Sequence, residues 1–120
     1  MKVFLSVLCV FVISCLTTGC YYDNEEYLYG ACDTSNVTFS KDIKPILDAN
    51  CINCHASGAI INLTTYEGVK SKVTDSTLYK AISYSYPAAS SSKNMPSSGK
   101  LDDCSINKVK AWIDEGAINN

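Results

Sequence analysis

The chain has no arginine, one histidine, one tryptophan and three prolines, and after its first thirteen residues it has no long apolar run. Each scarcity excludes something. Without arginine, ten lysines face twelve carboxylates for a formal charge of −2, so the basic footprint of a nucleic-acid binder is missing. With His55 as the only imidazole, no site can draw two histidines from one chain. No stretch alternates apolar and polar residues as a half-buried strand does, and no internal repeat is visible. The 120 residues suffice for one domain and not two.

What is plentiful is cysteine, seven in all, and the N-terminus says which compartment they meet. Lys2 precedes an apolar run from Val3 to Ile13, followed by Leu16-Thr17-Thr18-Gly19-Cys20. A positive start, a short apolar core and a small residue at its end describe an export signal, too short to span a bilayer. A cysteine directly after Gly19 resembles the lipoprotein signal of bacteria, in which that cysteine is acylated and becomes the first residue. Thr17 stands where that motif has leucine, and Val12-Ile13-Ser14-Cys15 fits it too, so Cys15 is the rival of Cys20. Cys20 is preferred because the polar segment begins only after it. Residues 1–19 are then the signal peptide, residues 20–36 an acidic, Tyr-rich tether, and residues 37–120 the folded domain. An acylated Cys20 would anchor the domain to a membrane, since each buried methylene contributes about 0.8 kcal/mol.

Within that domain the apolar spacing is helical. Ser40 reads as an N-cap, Asp42 suits a positive helix start, and Ile43, Ile46 and Leu47 form a stripe at i, i+3, i+4. Residues 65–72 and a segment opening at Ser76 through Leu78, Ala81 and Ile82 predict two more short helices. Residues 83–99 are Ser- and Pro-rich without periodicity, a length of loop that is usually functional. The last helix is the clearest: Asp102, Asp103 or Ser105 caps it, and Ile106, Val109, Trp112 and Ile113 share one face. Gly116 closes it in the position that favours a left-handed residue. Lys108 and Lys110 fall on the other side and read as a solvated face. The fold class expected is all-α, about four short helices joined by long loops.

One pentapeptide organises the rest. Cys51-Ile52-Asn53-Cys54-His55 has the C-x-x-C-H spacing that attaches a c-type haem. Two thiols add across the vinyl groups of one porphyrin edge, and the adjacent imidazole meets the iron. Three rivals use the same residues. A redox dithiol would need a βαβ setting, a structural zinc would need a fourth ligand beyond Cys51, Cys54 and His55, and a disulfide across two residues is strained. Met95 would be the sole methionine of the processed chain and lies in the non-periodic segment, just before Pro96; it is the expected sixth ligand, against the plainer reading of core filler. His/Met ligation fills both axial positions and suits outer-sphere electron transfer. Cys32 and Cys104 remain as an even pair and are expected to form a disulfide in an oxidising compartment. Trp112 packs in the core or offers its N–H to a haem propionate.

The run Phe39-Ser40-x-Asp42-Ile43-x-Pro45-Ile46-Leu47, the C-x-x-C-H motif, Asn94-Met95-Pro96, Leu101, and Ile106 through Trp112-Ile113 to Gly116-Ala117 and Asn119-Asn120 resemble the small single-haem cytochrome c domains of bacterial lipoproteins, especially of Bacteroidetes and the planctomycete-type modules. The resemblance covers residues 37–120. It implies a cytochrome c-like fold of the class I kind around one covalent haem c, with the first and last helices crossing beside it. It also implies thioethers at Cys51 and Cys54, with His55 and Met95 as axial ligands of the iron. The chain departs from soluble relatives of that family in having few glycines and many serines around Met95. The expected function is that of a monomeric electron carrier, not an enzyme, held by a lipid anchor at a membrane surface or cell surface and meeting redox partner proteins there. The alternatives are an open-site haem enzyme or ligand sensor of peroxidase type, and a cell-surface binding module with a vestigial haem domain.

Overall fold

The computed structural model describes residues 32–120; the expected signal peptide, Cys15, Cys20 and the tether as far as residue 31 lie outside the described residues. Asp33–Asn120 form one compact unit. Among the described residues the regular structure is entirely helical. A π-turn over Phe39–Ile43 runs into α1 (Lys44–Asn50), and α2 (Tyr66–Thr74) and α3 (Thr77–Ile82) follow. A 3₁₀ segment (Ala88–Lys93) then leads to α4 (Asp103–Asp114). No described helix is long and apolar enough to cross a membrane.

The first helical segment is capped by Thr38, two residues before the expected cap Ser40. Thr38 is extended and its hydroxyl accepts from the Lys41 amide at 3.2 Å, while Asp42 Oδ2 accepts from the Thr38 amide at 3.0 Å. Each side chain therefore satisfies a donor near the other's end of the turn, an exchange that Ser40 has no carboxylate to match. The Asp42 and Ile43 amides both donate to the Thr38 carbonyl, which winds this turn wide before Pro45 enters the first turn of α1 without a hydrogen bond to lose. Ile43 and Leu47 are buried as the stripe predicts, with Ile46 packed beside them.

Thr65 caps α2 by accepting from the Gly68 amide, and Asp102 caps α4 by accepting from the Ser105 amide at 2.9 Å. Ser76 behaves differently from the expectation: it precedes α3 in a left-handed conformation and makes no side-chain cap. Its role is to turn the chain sharply from α2 into α3.

Trp112 is the centre of the core and is fully buried. Its ring lies 5.6 Å from that of Phe39, which meets Tyr66 edge-on at 5.2 Å. Burying an aromatic of this size removes enough apolar area to favour folding by about 5 kcal/mol before ordering costs. The indole N–H donates to the Ile118 carbonyl at 2.9 Å, so of the two readings of Trp112 the core one holds.

The chain end is tied back to the first helix. Ser40 N–H donates to the Asn120 carbonyl at 3.0 Å and Phe39 N–H to Asn120 Oδ1 at 2.8 Å. Lys70 donates to the Gly116 carbonyl at 2.6 Å and Tyr66 to the Ala117 carbonyl at 2.8 Å, so the end of α4 is capped by side chains of α2. Lys108 corrects the expectation of a solvated face. It is only 28% exposed and pairs with Asp42, 66 positions away in sequence, at 3.2 Å. Lys110 instead pairs with Asp114 one turn on.

The Thr38 backbone amide, assisted by Lys108, holds the Asp42 carboxyl below its ordinary value, although partial burial opposes them; the Ser105 hydroxyl and amide do the same for Asp102. Carboxyls depressed in the folded state stabilise it above the ordinary value of 3.8 and lose that contribution as pH falls through their folded values. The urea midpoint is therefore expected to fall as the pH drops below about 4, and to fall less steeply in Asp42→Asn. A parallel decline in that variant would show that the pairing carries no stability.

Candidate functional site

Helix α1 ends where the cysteine motif begins. Cys51 leaves helical geometry, with φ −123°, while its amide still donates to the Leu47 carbonyl at 2.8 Å. The Cys51 carbonyl then accepts from both the Cys54 amide at 3.1 Å and the His55 amide at 2.9 Å, so the five residues close as one turn.

Residues 56–62 loop out and return to the same histidine. The Leu63 amide donates to the His55 carbonyl at 2.9 Å, and His55 Nδ1 lies 3.2 Å from the Ile61 carbonyl oxygen. A carbonyl can only accept, so this contact calls for the proton on Nδ1, and in the neutral ring it leaves the Nε2 lone pair free. This is the orienting contact that ligating histidines require. Gly68 makes the loop's position attainable: a Cβ there would stand 2.0 Å from the Asn62 carbonyl oxygen, so only glycine lets α2 approach the loop this closely.

On the other side, Met95 is held by its neighbours. Its amide donates to the Ala81 carbonyl at the end of α3 at 3.0 Å. The Tyr84 hydroxyl donates to the Pro96 carbonyl. The Asn94 amide group spans the backbone of Tyr86, accepting from its N–H at 3.2 Å and donating to its carbonyl at 3.5 Å.

His55 and Met95, forty positions apart in sequence, both line one cavity of about 390 Å³, and Cys51 lines it with them. That volume lies within the range of sites that take cofactor-sized molecules. Ile61, Leu63, Leu78, Ala81 and Ile82 supply aliphatic wall, and Lys72, Tyr86, Ser92 and Lys93 also line it. Cys54 is exposed and is not part of the wall. Burial pushes the half-buried Cys51 thiol above its ordinary value. Cys51 and Cys54 are free thiols, whereas Cys32 and Cys104 are both disulfide-bonded. Among the described residues no three His, Cys, Asp or Glu side chains converge as a cage for a bare metal ion.

The groups that sequence reasoning did not single out are the Ile61 carbonyl, Gly68, Tyr84 and the cavity-lining lysines. Only Asn94 carried a signal, through its place beside Met95.

Replacing Gly68 by alanine tests the loop's seating. Helix propensity alone would favour alanine by about 1 kcal/mol, whereas forcing a methyl into close-packed backbone costs about 1–3 kcal/mol. The clash at 2.0 Å decides for the second. The Gly68→Ala protein is expected to unfold at lower urea, and a midpoint equal to or above the parent's would contradict the close approach.

Compared with known proteins, the chain matches no protein-family profile, no curated protein and no solved structure.

Proposed function

We propose that this protein is an exported, lipid-anchored, monohaem c-type cytochrome that transfers single electrons and has no enzymatic activity of its own. The observation that carries the reading is the shared cavity: the histidine of the attachment motif and the one methionine in the described residues stand on its walls, with Cys51 beside them.

The donor set fits a haem. His55 presents Nε2 because the Ile61 carbonyl holds the other nitrogen's proton. Met95 offers a thioether from a backbone pinned at Ala81 and Pro96. The aliphatic wall suits a porphyrin's faces. Cys51 and Cys54 would form the two thioethers. When bound, the haem supplies a one-electron iron couple whose potential is raised by His/Met ligation. The chain's own residues orient the imidazole, and His55 and Met95 would supply the two protein ligands of the iron.

The rival readings of the motif have less support. A redox dithiol belongs at a strand-to-helix turn, and the described residues contain no strand. A structural zinc needs a fourth ligand, and no such group of side chains converges among the described residues. The finer reading of the fold as cytochrome c-like draws support from the Phe39–Trp112 contact and the Lys108–Asp42 pair, which join the first and last helical segments. The disulfide-bonded state of Cys32 and Cys104 suits an oxidising, exported setting, and their pairing with each other is part of this proposal. The lipid anchor at Cys20, the periplasmic face of the inner or outer membrane or the cell surface, and redox protein partners complete it.

Carbon monoxide on the reduced protein tests the ligation. The parent is expected to bind it slowly or not at all, and Met95→Ala rapidly. The potential of that variant is expected to fall by on the order of 0.1–0.3 V, out of the roughly 0.8 V over which axial ligands tune haem iron. Rapid binding by the parent would instead indicate an open-site enzyme or sensor. A variant indistinguishable from the parent would mean that Met95 is not the ligand.

A further inference from the structure

Two lysines line the cavity, and they differ in what already neutralises their charge. Lys72, on α2, pairs with Asp75 at 3.2 Å. Lys93, at the end of the 3₁₀ segment, pairs with no carboxylate among the described residues. Its ammonium lies 5.7 Å from the centroid of the Tyr86 ring, which lines the same wall. The Tyr86 hydroxyl has no hydrogen-bond partner among the described residues, although that residue's backbone is fixed by Asn94. Ser92 lines the cavity next to Lys93. Lys93, Tyr86 and Ser92 thus share the lining of a largely apolar cavity, with the Lys93 ammonium beside the Tyr86 ring. An occupant matching both parts has apolar faces and an anionic edge.

We propose that Lys93, with the Tyr86 hydroxyl, is the binding site for a carboxylate at the edge of the occupant, which on the cytochrome reading is a haem propionate. Lys72 is the weaker candidate, because it already pairs with Asp75. Lys93 also stands two positions before Met95, so holding the carboxylate fastens the segment that carries the distal ligand. The site therefore links occupancy of the cavity edge to the retention of Met95.

The test uses the haem-loaded protein and reads the propionate bending band in its resonance Raman spectrum. Lys93→Gln is expected to move that band to the position of an unpaired propionate, Lys93→Arg to leave it in place, and Lys72→Gln to leave it in place. Carbon monoxide binding should quicken in Lys93→Gln by up to about fivefold, the factor that corresponds to losing one exposed charge pair. An unmoved band in Lys93→Gln, or an equal movement in Lys72→Gln, overturns the assignment. The inference rests on the haem reading, and that reading fails separately: a parent chain without covalent haem overturns both, whereas a haem-loaded parent with an insensitive band overturns this one alone.

Discussion

One hydrogen bond sets the orientation on which the site depends, that from His55 Nδ1 to the Ile61 carbonyl. It decides which imidazole nitrogen is available, and it can form only if residues 56–62 return to the end of α1. Their return is secured twice, by the Leu63 amide on the His55 carbonyl and by the seating of Asn62 against Gly68. A change in α2 would therefore reach the histidine through the backbone, without touching its ring.

The other wall has the same logic with different parts. Met95 has no helix of its own; its place is fixed by the carbonyl at the end of α3, by Tyr84 and by Asn94. The two halves are joined by a core in which Trp112, Phe39 and Tyr66 pack together and by the chain end that Ser40 and Lys70 hold. The described residues leave no buried side-chain polar atom without a partner, so the cavity is bordered by a satisfied core rather than by loose structure.

What could be read from the sequence follows from what is local. Ile43 with Leu47, and Ile106 with Val109 and Trp112, are buried because a 3.6-residue period puts them on one face, and a period is visible without a fold. Asp102 and Gly116 were legible for the same reason, since caps are local chemistry. The first cap was misplaced because Ser40 and Thr38 are both good caps, and the choice turns on Asp42 answering Thr38 across a π-turn. Lys108 was misread because its partner is 66 positions away. The attachment motif and Met95 could be found by spacing and elimination, but the contacts that position them all end on backbone carbonyls and amides. These carry no side-chain pattern, so only the folded chain displays them.

The central claim is that Cys51 and Cys54 carry one haem. An intact mass of membrane-extracted protein, followed by mapping of the peptide that spans residues 51–55, addresses it directly. The account predicts one haem on the chain, located on that peptide, with both of its thiols consumed, and an acylated Cys20 at the new N-terminus. A chain exported through a haem-attachment machinery that still carries free Cys51 and Cys54 thiols would contradict it.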